Sequence, residues 1–149
     1  MTGYRASTDF DRREDAPGLA RGFVEDAMSV AGLQGDCPEA LLLVSELVTN
    51  AVVHARTGAI HLEVSLDDGK LRCVVVDDDP DRQPAVRSAG GSGVGGLGLV
   101  IVDAVATRWG CDVEGGTKSV WFELEPMDDV SSGTRAGSVG LDGDGRVQP

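Results

Sequence analysis

The chain has 149 residues, with 13 Lys or Arg against 25 Asp or Glu, so its formal net charge is −12. That length supports one hydrophobic core, and the acidic surface, without a basic stripe, makes direct binding to a nucleic acid backbone unexpected. No apolar run approaches the roughly 18 residues that span a membrane, and the N-terminus has no apolar signal segment, so a cytoplasmic protein is expected.

The N-terminal third of the chain predicts two helices. Apolar residues recur at helical spacing between Pro17 near the start of the first helix and Gly32 near its end. The second helix begins after a cap at Asp36 or Cys37. Residues 3–10 are a candidate edge strand, and either this edge or an exposed face of the first helix is a candidate surface for a homodimer.

Two hairpins and a third helix follow. The segments "AIHLEVSL" and "KLRCVVVDDD" predict strands around a turn at residues 67–69, and "CDVE" pairs with "KSVWFELE" through Gly115 and Gly116. The third helix is expected from about Leu97 to Thr107, directly after a glycine-rich run. This order of elements, with strands that are polar on one face, predicts an α+β fold: a two-layer sandwich whose mixed or antiparallel sheet carries three helices on one face.

The domain organisation follows from composition. Residues 1–15 form an N-terminal segment, residues 16–125 form the folded domain, and residues 126–149 are rich in Gly, Ser and Asp without a hydrophobic period. This last segment is predicted to be a disordered tail. The three cysteines lack a CxxC pair, so they are expected to be small buried side chains and not zinc ligands or disulfides.

The run "GGSGVGGLGL" at residues 90–99 has six glycines in ten positions. Glycine lets backbone amides turn toward an anion at a helix start, so a phosphate-binding loop is suspected. The GxGxxG pattern at Gly93–Gly98 does not follow a strand directly, as a dinucleotide-binding loop would. A P-loop needs a lysine followed by Ser or Thr, where Leu97-Gly98-Leu99 stands. A plain glycine-rich linker is the other alternative.

The second helix carries polar side chains within an apolar sequence, "SELVTNAVVHA". Glu46, Asn50 and Val53 or His54 recur at positions that share one helix face. An acid and an amide are costly to bury without partners, an amide oxygen suits Mg²⁺, and the carboxylate could accept a proton from a hydroxyl. The alternative is a solvent-facing helix edge with a satisfied asparagine.

A cluster of acids ends the predicted strand in "VVVDDDPDRQP". A calcium loop beginning at Asp77 would need Gly and Glu where Arg82 and Ser88 stand, so calcium is excluded. An aspartate at a strand end can accept a hydrogen bond from an exocyclic amine and so distinguish adenine from guanine. A solvated acidic turn is the alternative.

Together, these segments resemble the GHKL ATPase superfamily, which has the Bergerat ATP-binding fold, and in particular its small bacterial anti-sigma-factor serine kinases. "ELVTNAVVHA" is similar to the N-box of that family, "VVVDDDP" to its G1 box, "GVGGLGL" to its G2 box and "GTKSVWFEL" to its last adenine-side strand. The order and spacing of these motifs cover roughly residues 16–124. The resemblance implies that the chain binds ATP and Mg²⁺.

The resemblance also implies site residues. Glu46 would be the general base and Asn50 the magnesium ligand, Asp77 (or Asp78) would accept a hydrogen bond from the adenine amine, and Thr117 would support that bond. Residues 82–95 would form an ATP lid. His54 would line the phosphate side or cap its helix. The phosphates would be wrapped at the start of the third helix by Gly93, Gly95, Gly96, Leu97, Gly98 and Leu99.

One position departs from the family pattern, because Asp79 stands where the G1 box usually has glycine two residues after its aspartate. The added negative charge would make ATP binding modest or strongly dependent on magnesium. The expected function is an ATP- and Mg²⁺-dependent serine kinase that binds a sigma factor and phosphorylates an anti-anti-sigma antagonist. The alternatives are a non-catalytic ATP-binding partner switch and a detached histidine-kinase catalytic domain.

Overall fold

The computed structural model describes residues 3–33, 37–54, 58–78, 96–125 and 127. The elements appear in the predicted order, preceded by the candidate edge strand. Their bounds are β1 Tyr4–Asp11, α1 Ala16–Val30, α2 Pro38–His54, β2 Ala59–Asp67, β3 Lys70–Asp77, α3 Gly96–Val105, β4 Arg108–Glu114 and β5 Thr117–Leu124. Within the described ranges, the strands form one sheet in the order β1-β2-β3-β5-β4, and each neighbouring pair is antiparallel. The α+β prediction is confirmed, with an antiparallel rather than a mixed sheet.

The strand β2 shows how the sequence pattern sets the two faces of the sheet. Its apolar residues are buried at alternate positions from Ile60 to Leu66, while the residues between them are partly or fully exposed. The turn to β3 has positive φ angles at Asp68 and Gly69, 52° and 76°. Two consecutive left-handed residues are what a two-residue turn needs to match the twist of a hairpin.

The edge strand β1 pairs along its whole length with β2, from Tyr4 opposite Leu66 to Asp11 opposite Ala59. The prediction of a strand near residues 3–10 is therefore confirmed, with bounds shifted by one residue. In the described part of the chain, β1 has a strand partner on one side only. A homodimer through this edge stays a prediction.

The three helices pack on one face of the sheet in the order α1, α2, α3. Helix α1 contacts β1 and β2, α2 contacts the central strands, and α3 contacts β4. The guanidinium of Arg21 on α1 donates a hydrogen bond of 2.8 Å to the hydroxyl of Ser45 on α2. Helix α1 ends as predicted, because Gly32 has a φ of 97° and the amide of Leu33 donates to the carbonyl of Met28. The core between the layers contains the fully buried side chains of Val24, Leu43, Val44, Val48, Leu62, Leu71, Val75, Val102 and Phe122.

The chain still contacts the folded body just after β5. The amide of Met127 donates a hydrogen bond to the carbonyl of Gly69 in the β2–β3 turn, and its side chain packs against the core. The rest of the predicted tail lies outside the described residues. The three cysteines are free thiols; Cys73 is buried, as predicted, whereas Cys37 and Cys111 are only partly buried. None of the described helices is long and apolar enough to cross a membrane.

Candidate functional site

The topology brings the predicted site residues on α2 and β3 to one end of the sandwich. Helix α2 ends at His54, and residues 55–58 lead directly into the start of β2. The start of β2 lies beside the end of β3, because His61 is opposite Val76 in the antiparallel register. The C-terminal half of α2, which carries Asn50, therefore lies at the same end of the sheet as Asp77, the last residue of β3.

The start of α3 lies at this same end. Helix α3 ends at Val105 and is joined by two residues to Arg108, which is opposite Glu123 near the far end of β5. A ten-residue helix spans about 15 Å, so its first residue, Gly96, lies at the opposite end of the sandwich, toward Asp77. The order of elements thus places the glycine-rich helix start, the strand-end aspartate and the polar part of α2 together.

Glu46 and Asn50 lie on the flank of α2 that faces α3. At 100° per residue, these two side chains are on one border of the buried stripe of α2, and Ser45 is on the other border. Ser45 faces α1, since it accepts the hydrogen bond from Arg21. Helix α3 packs on the remaining side of α2. Glu46 and Asn50 are both half-buried, one helical turn apart.

Asp77 lies at the centre of the sheet end with a lysine directly opposite. The carboxylate is almost completely buried, and Lys118 on β5 is its partner in the register. The Nζ of Lys118 lies 3.8 Å from Oδ2 of Asp77. Asp78, the alternative to Asp77, is half-buried just beyond the strand. Lys118 was not among the predicted site residues. The register between β3 and β5, had it been predicted, would have placed Lys118 opposite Asp77.

Thr117 is placed one residue before this lysine and contacts the turn. Its side chain is exposed, and its hydroxyl donates a hydrogen bond of 2.9 Å to the carbonyl of Glu114. Because successive side chains on a strand point to opposite faces, Thr117 and Asp77 do not share a face, whereas Lys118 and Asp77 do. The support of an adenine contact by Thr117 stays a prediction, and the geometry favours Lys118 as the neighbour of the carboxylate.

The phosphate-binding prediction falls partly on described residues. Helix α3 begins at Gly96, so the backbone amides of Gly96, Leu97, Gly98 and Leu99 are the ones without a partner inside the helix. The side chain of Leu99 is buried and anchors this first turn in the core. Gly93, Gly95, Asp79 and the predicted lid lie outside the described residues. His54 is the last residue of α2, and its side chain lies outside the described part as well.

The polar groups at this end of the sheet fit Mg²⁺ that is held together with a nucleotide better than they fit a metal ion held by side chains alone. Among the described residues, no group of three or more His, Cys, Asp or Glu side chains is arranged to hold a metal ion. Mg²⁺ commonly takes one or two protein oxygens together with phosphates and waters, and the amide oxygen of Asn50 is such a ligand. The backbone amides of α3 and the ammonium of Lys118 supply positive potential in a chain that is strongly acidic.

The thiol of Cys111 on β4 lies close enough to the Asp77–Lys118 pair for their charges to act on its pKa. Burial raises the pKa of Cys111, the charge of Lys118 acts in the opposite direction, and the charges of Asp112 and Asp77 raise it further. Cys111 thus lies within electrostatic reach of both members of the Asp77–Lys118 pair. With its pKa raised, Cys111 stays a protonated and weakly reactive thiol at neutral pH.

Comparisons with known proteins identify the family. The family model of the histidine kinase-like ATPase domain matches residues 11–123. An uncharacterized protein of Streptomyces coelicolor is 34% identical over 93 residues, covering 58% of this chain and 88% of that protein.

The fold is similar to that of a solved structure. The chain is similar to a Mycobacterium tuberculosis structure of RsbU and RsbW domains, with a TM-score of 0.61 and 18% identity over 80% of this chain; it spans only 32% of that structure. A histidine kinase domain from Erythrobacter litoralis matches with a TM-score of 0.49 and 22% identity, over 74% of this chain and 61% of that one. Because the family model matches residues 11–123, the chain belongs to the histidine kinase-like ATPase domain family, within the GHKL superfamily that its motifs resemble.

Proposed function

We propose that the protein is an ATP- and Mg²⁺-dependent serine kinase that binds a sigma factor and phosphorylates a serine of an anti-anti-sigma antagonist. The observation that carries the proposal is the placement of Glu46 and Asn50 on the flank of α2 that faces α3, at the sheet end that holds Asp77. Membership of the ATPase family supports nucleotide binding. The fold likeness to a bacterial structure that contains an RsbW domain agrees with the narrower proposal.

Each of these residues has a distinct chemical role in the proposal. The Asn50 amide oxygen would hold Mg²⁺, and the carboxylate of Asp77 would accept a hydrogen bond from the adenine amine. The first backbone amides of α3 would bind phosphate oxygens. When bound, Mg²⁺ supplies charge neutralisation on the phosphates.

Glu46 would act on the protein substrate. Its carboxylate would take the proton from the serine hydroxyl as the serine oxygen bonds to the γ-phosphorus and the bond to the β-phosphate oxygen breaks, which releases ADP. Glu46 is only half-buried, so its carboxylate can meet a hydroxyl presented from outside the protein. A group that acts only on the hydroxyl proton contributes little to nucleotide affinity. Catalysis and binding are therefore separable at this residue.

The experiment begins by capturing the substrate. Proteins retained from native cell extract with and without Mg·ATP are identified by mass spectrometry, together with their phosphoserines. The captured antagonist is then used with three variants: Glu46→Gln, Asn50→Ala and the control Glu39→Gln. Glu39 lies in the first turn of the same helix, away from the site.

The expected results differ between the variants. Glu46→Gln lowers phosphoryl transfer by about 10²- to 10⁴-fold and leaves Mg·ATP binding unchanged, as expected for the loss of a general base. Asn50→Ala loses Mg·ATP binding in calorimetry, and Glu39→Gln behaves as the unaltered protein. Normal transfer by Glu46→Gln would show that Glu46 is not the base. Nucleotide binding without transfer in the unaltered protein would favour the non-catalytic partner switch instead.

A further inference from the structure

The pairing of Asp77 with Lys118 bears on which nucleotide base the site accepts. We infer that the site binds 6-keto purines as well as adenine, so that the protein takes Mg·GTP in addition to Mg·ATP, with Lys118 as the residue that determines this specificity. The inference rests on the proposed nucleotide site and extends it to a second substrate class. Its basis is the geometry of one pair of strands.

The two side chains form a buried ion pair at the end of the sheet. Asp77 and Lys118 are directly opposite in the antiparallel register of β3 and β5, so they lie on the same face, toward the helices. Their side chains are 3% and 7% exposed. The distance of 3.8 Å between Nζ and Oδ2 is that of an ion pair and exceeds a hydrogen bond.

A carboxylate by itself would select adenine. The 6-position of adenine carries an amine that donates, whereas the 6-position of guanine carries a keto oxygen that accepts. A carboxylate facing the keto oxygen would place two acceptors against each other. The aspartate that was predicted from the sequence would therefore distinguish the two bases strongly, because a buried polar atom without a partner is costly.

The adjacent ammonium changes this selectivity. With adenine, the carboxylate of Asp77 would accept from the 6-amine while Lys118 donates to the neighbouring ring nitrogen. With guanine, Lys118 would donate to the 6-keto oxygen while Asp77 accepts from the ring N–H and the 2-amine. Each base then finds a complementary donor and acceptor, since lysine only donates and an ionised carboxylate only accepts.

The charge balance of the site supports the same arrangement. Asp78 follows directly on Asp77, so two carboxylates lie at this end of β3. Carboxylates alone would repel the electron-rich keto oxygen of a base. Lys118 places a positive charge at the one position directly across from the carboxylate.

The first experiment uses the unaltered full-length protein and compares Mg·ATP, Mg·GTP and Mg·ITP by calorimetry. The expected dissociation constants for ATP and GTP lie within about tenfold of each other, because both bases are matched. Inosine lacks the 2-amine, so ITP tests whether the 6-keto group alone is accepted, and it is expected to bind as well. Binding of ATP with GTP and ITP weaker by about 100-fold or more would overturn the inference and leave the proposed function intact. Binding of no nucleotide would overturn both.

The second experiment assigns the effect to one residue. The substitution Lys118→Met removes the ammonium and keeps an unbranched side chain, and it is expected to weaken GTP relative to ATP by about tenfold or more. The control Lys70→Met removes a lysine from the far end of the sheet, where its Nζ lies 4.0 Å from Glu123, and should leave the ratio unchanged. Lys118→Arg keeps the charge and should keep GTP binding. An unchanged ratio in Lys118→Met would overturn the assignment; if that variant does not fold, the comparison of nucleotides in the unaltered protein decides.

Discussion

The indole ring of Trp121 lies directly over Gly110 on the neighbouring strand. A Cβ atom at position 110 would meet three atoms of that ring at 2.7, 2.9 and 3.0 Å, closer than van der Waals contact allows. The ring is held on another side by the guanidinium of Arg72, which stacks 4.2 Å from the ring centroid. Gly110→Ala therefore forces the ring or β4 to shift and disturbs that stacking.

The expected cost of Gly110→Ala is about 1–3 kcal/mol, the usual range for inserting a methyl group into a packed region. Gly110 does not have a positive φ, so the steric contact alone decides the sign. The matched control is Gly22→Ala in the middle of α1, where a Cβ would meet nothing within 4 Å. That substitution should stabilise the protein by about 0.5–1 kcal/mol, because alanine favours a helix more than glycine does.

Urea denaturation followed by tryptophan fluorescence measures both changes. Gly110→Ala should lower the urea midpoint of unfolding and Gly22→Ala should raise it. In thermal unfolding, the melting temperature of Gly110→Ala should lie several degrees below that of Gly22→Ala. If Gly110→Ala were as stable as the unaltered protein, the contact between strand backbone and indole would not constrain this part of the sheet. A destabilised Gly22→Ala would instead show that the helix packs more tightly there than the contacts indicate.

Two further predictions concern charged groups on the face of the sheet that points away from the helices. The hydrogen bond that His61 donates to the carboxylate of Asp9 is the main cause that raises the pKa of His61 above 6.5. The stabilisation from this contact is complete below pH 6.5 and is lost as the pH rises through the raised pKa. The free energy of unfolding should fall as the pH rises above 6.5, and Asp9→Asn should reduce the slope of that fall. Burial would raise the pKa of Glu123, but hydrogen bonds from Arg108 and Arg72 outweigh it and lower the pKa below 4.5. Glu123→Gln should therefore cost about 1–3 kcal/mol at pH 7 in urea denaturation, and the difference should shrink as the pH falls below 4.5; equal stability at pH 7 would contradict the role of this ion pair.

Local patterns in the sequence were sufficient to predict most of the fold. The alternation in β2, the two left-handed residues of its turn and the glycine after α1 act over a few residues, so their consequences were visible without the structure. The sheet order was not predicted in the same way, since pairing between distant strands leaves no local pattern. The contact of Met127 with the turn at Gly69 was also not predicted, because the composition after residue 125 is that of a tail.

In the candidate site, too, the residues on one helix could be predicted from the sequence, whereas the contact between two distant strands could not. Glu46 and Asn50 were predicted as neighbours from helical spacing alone, and the structure places them on one flank of α2 because that periodicity is a property of every α-helix. The side chain that lies opposite Asp77 depends instead on the register between β3 and β5. A shift of β5 by one residue against β3 would put Thr117 opposite Asp77 in place of Lys118, and every side chain of the strand would change face.

The register between β3 and β5 is fixed by groups far from Asp77. Glu123 on β5 is opposite Arg72 on β3, and the two are joined by a hydrogen bond of 2.8 Å, while Phe122 occupies the core beside Cys73. A one-residue slip would expose Phe122 and break this ion pair, a loss much larger than any single contact at the other end. Packing at one end of β5 therefore determines which side chain lies beside Asp77 at the other end.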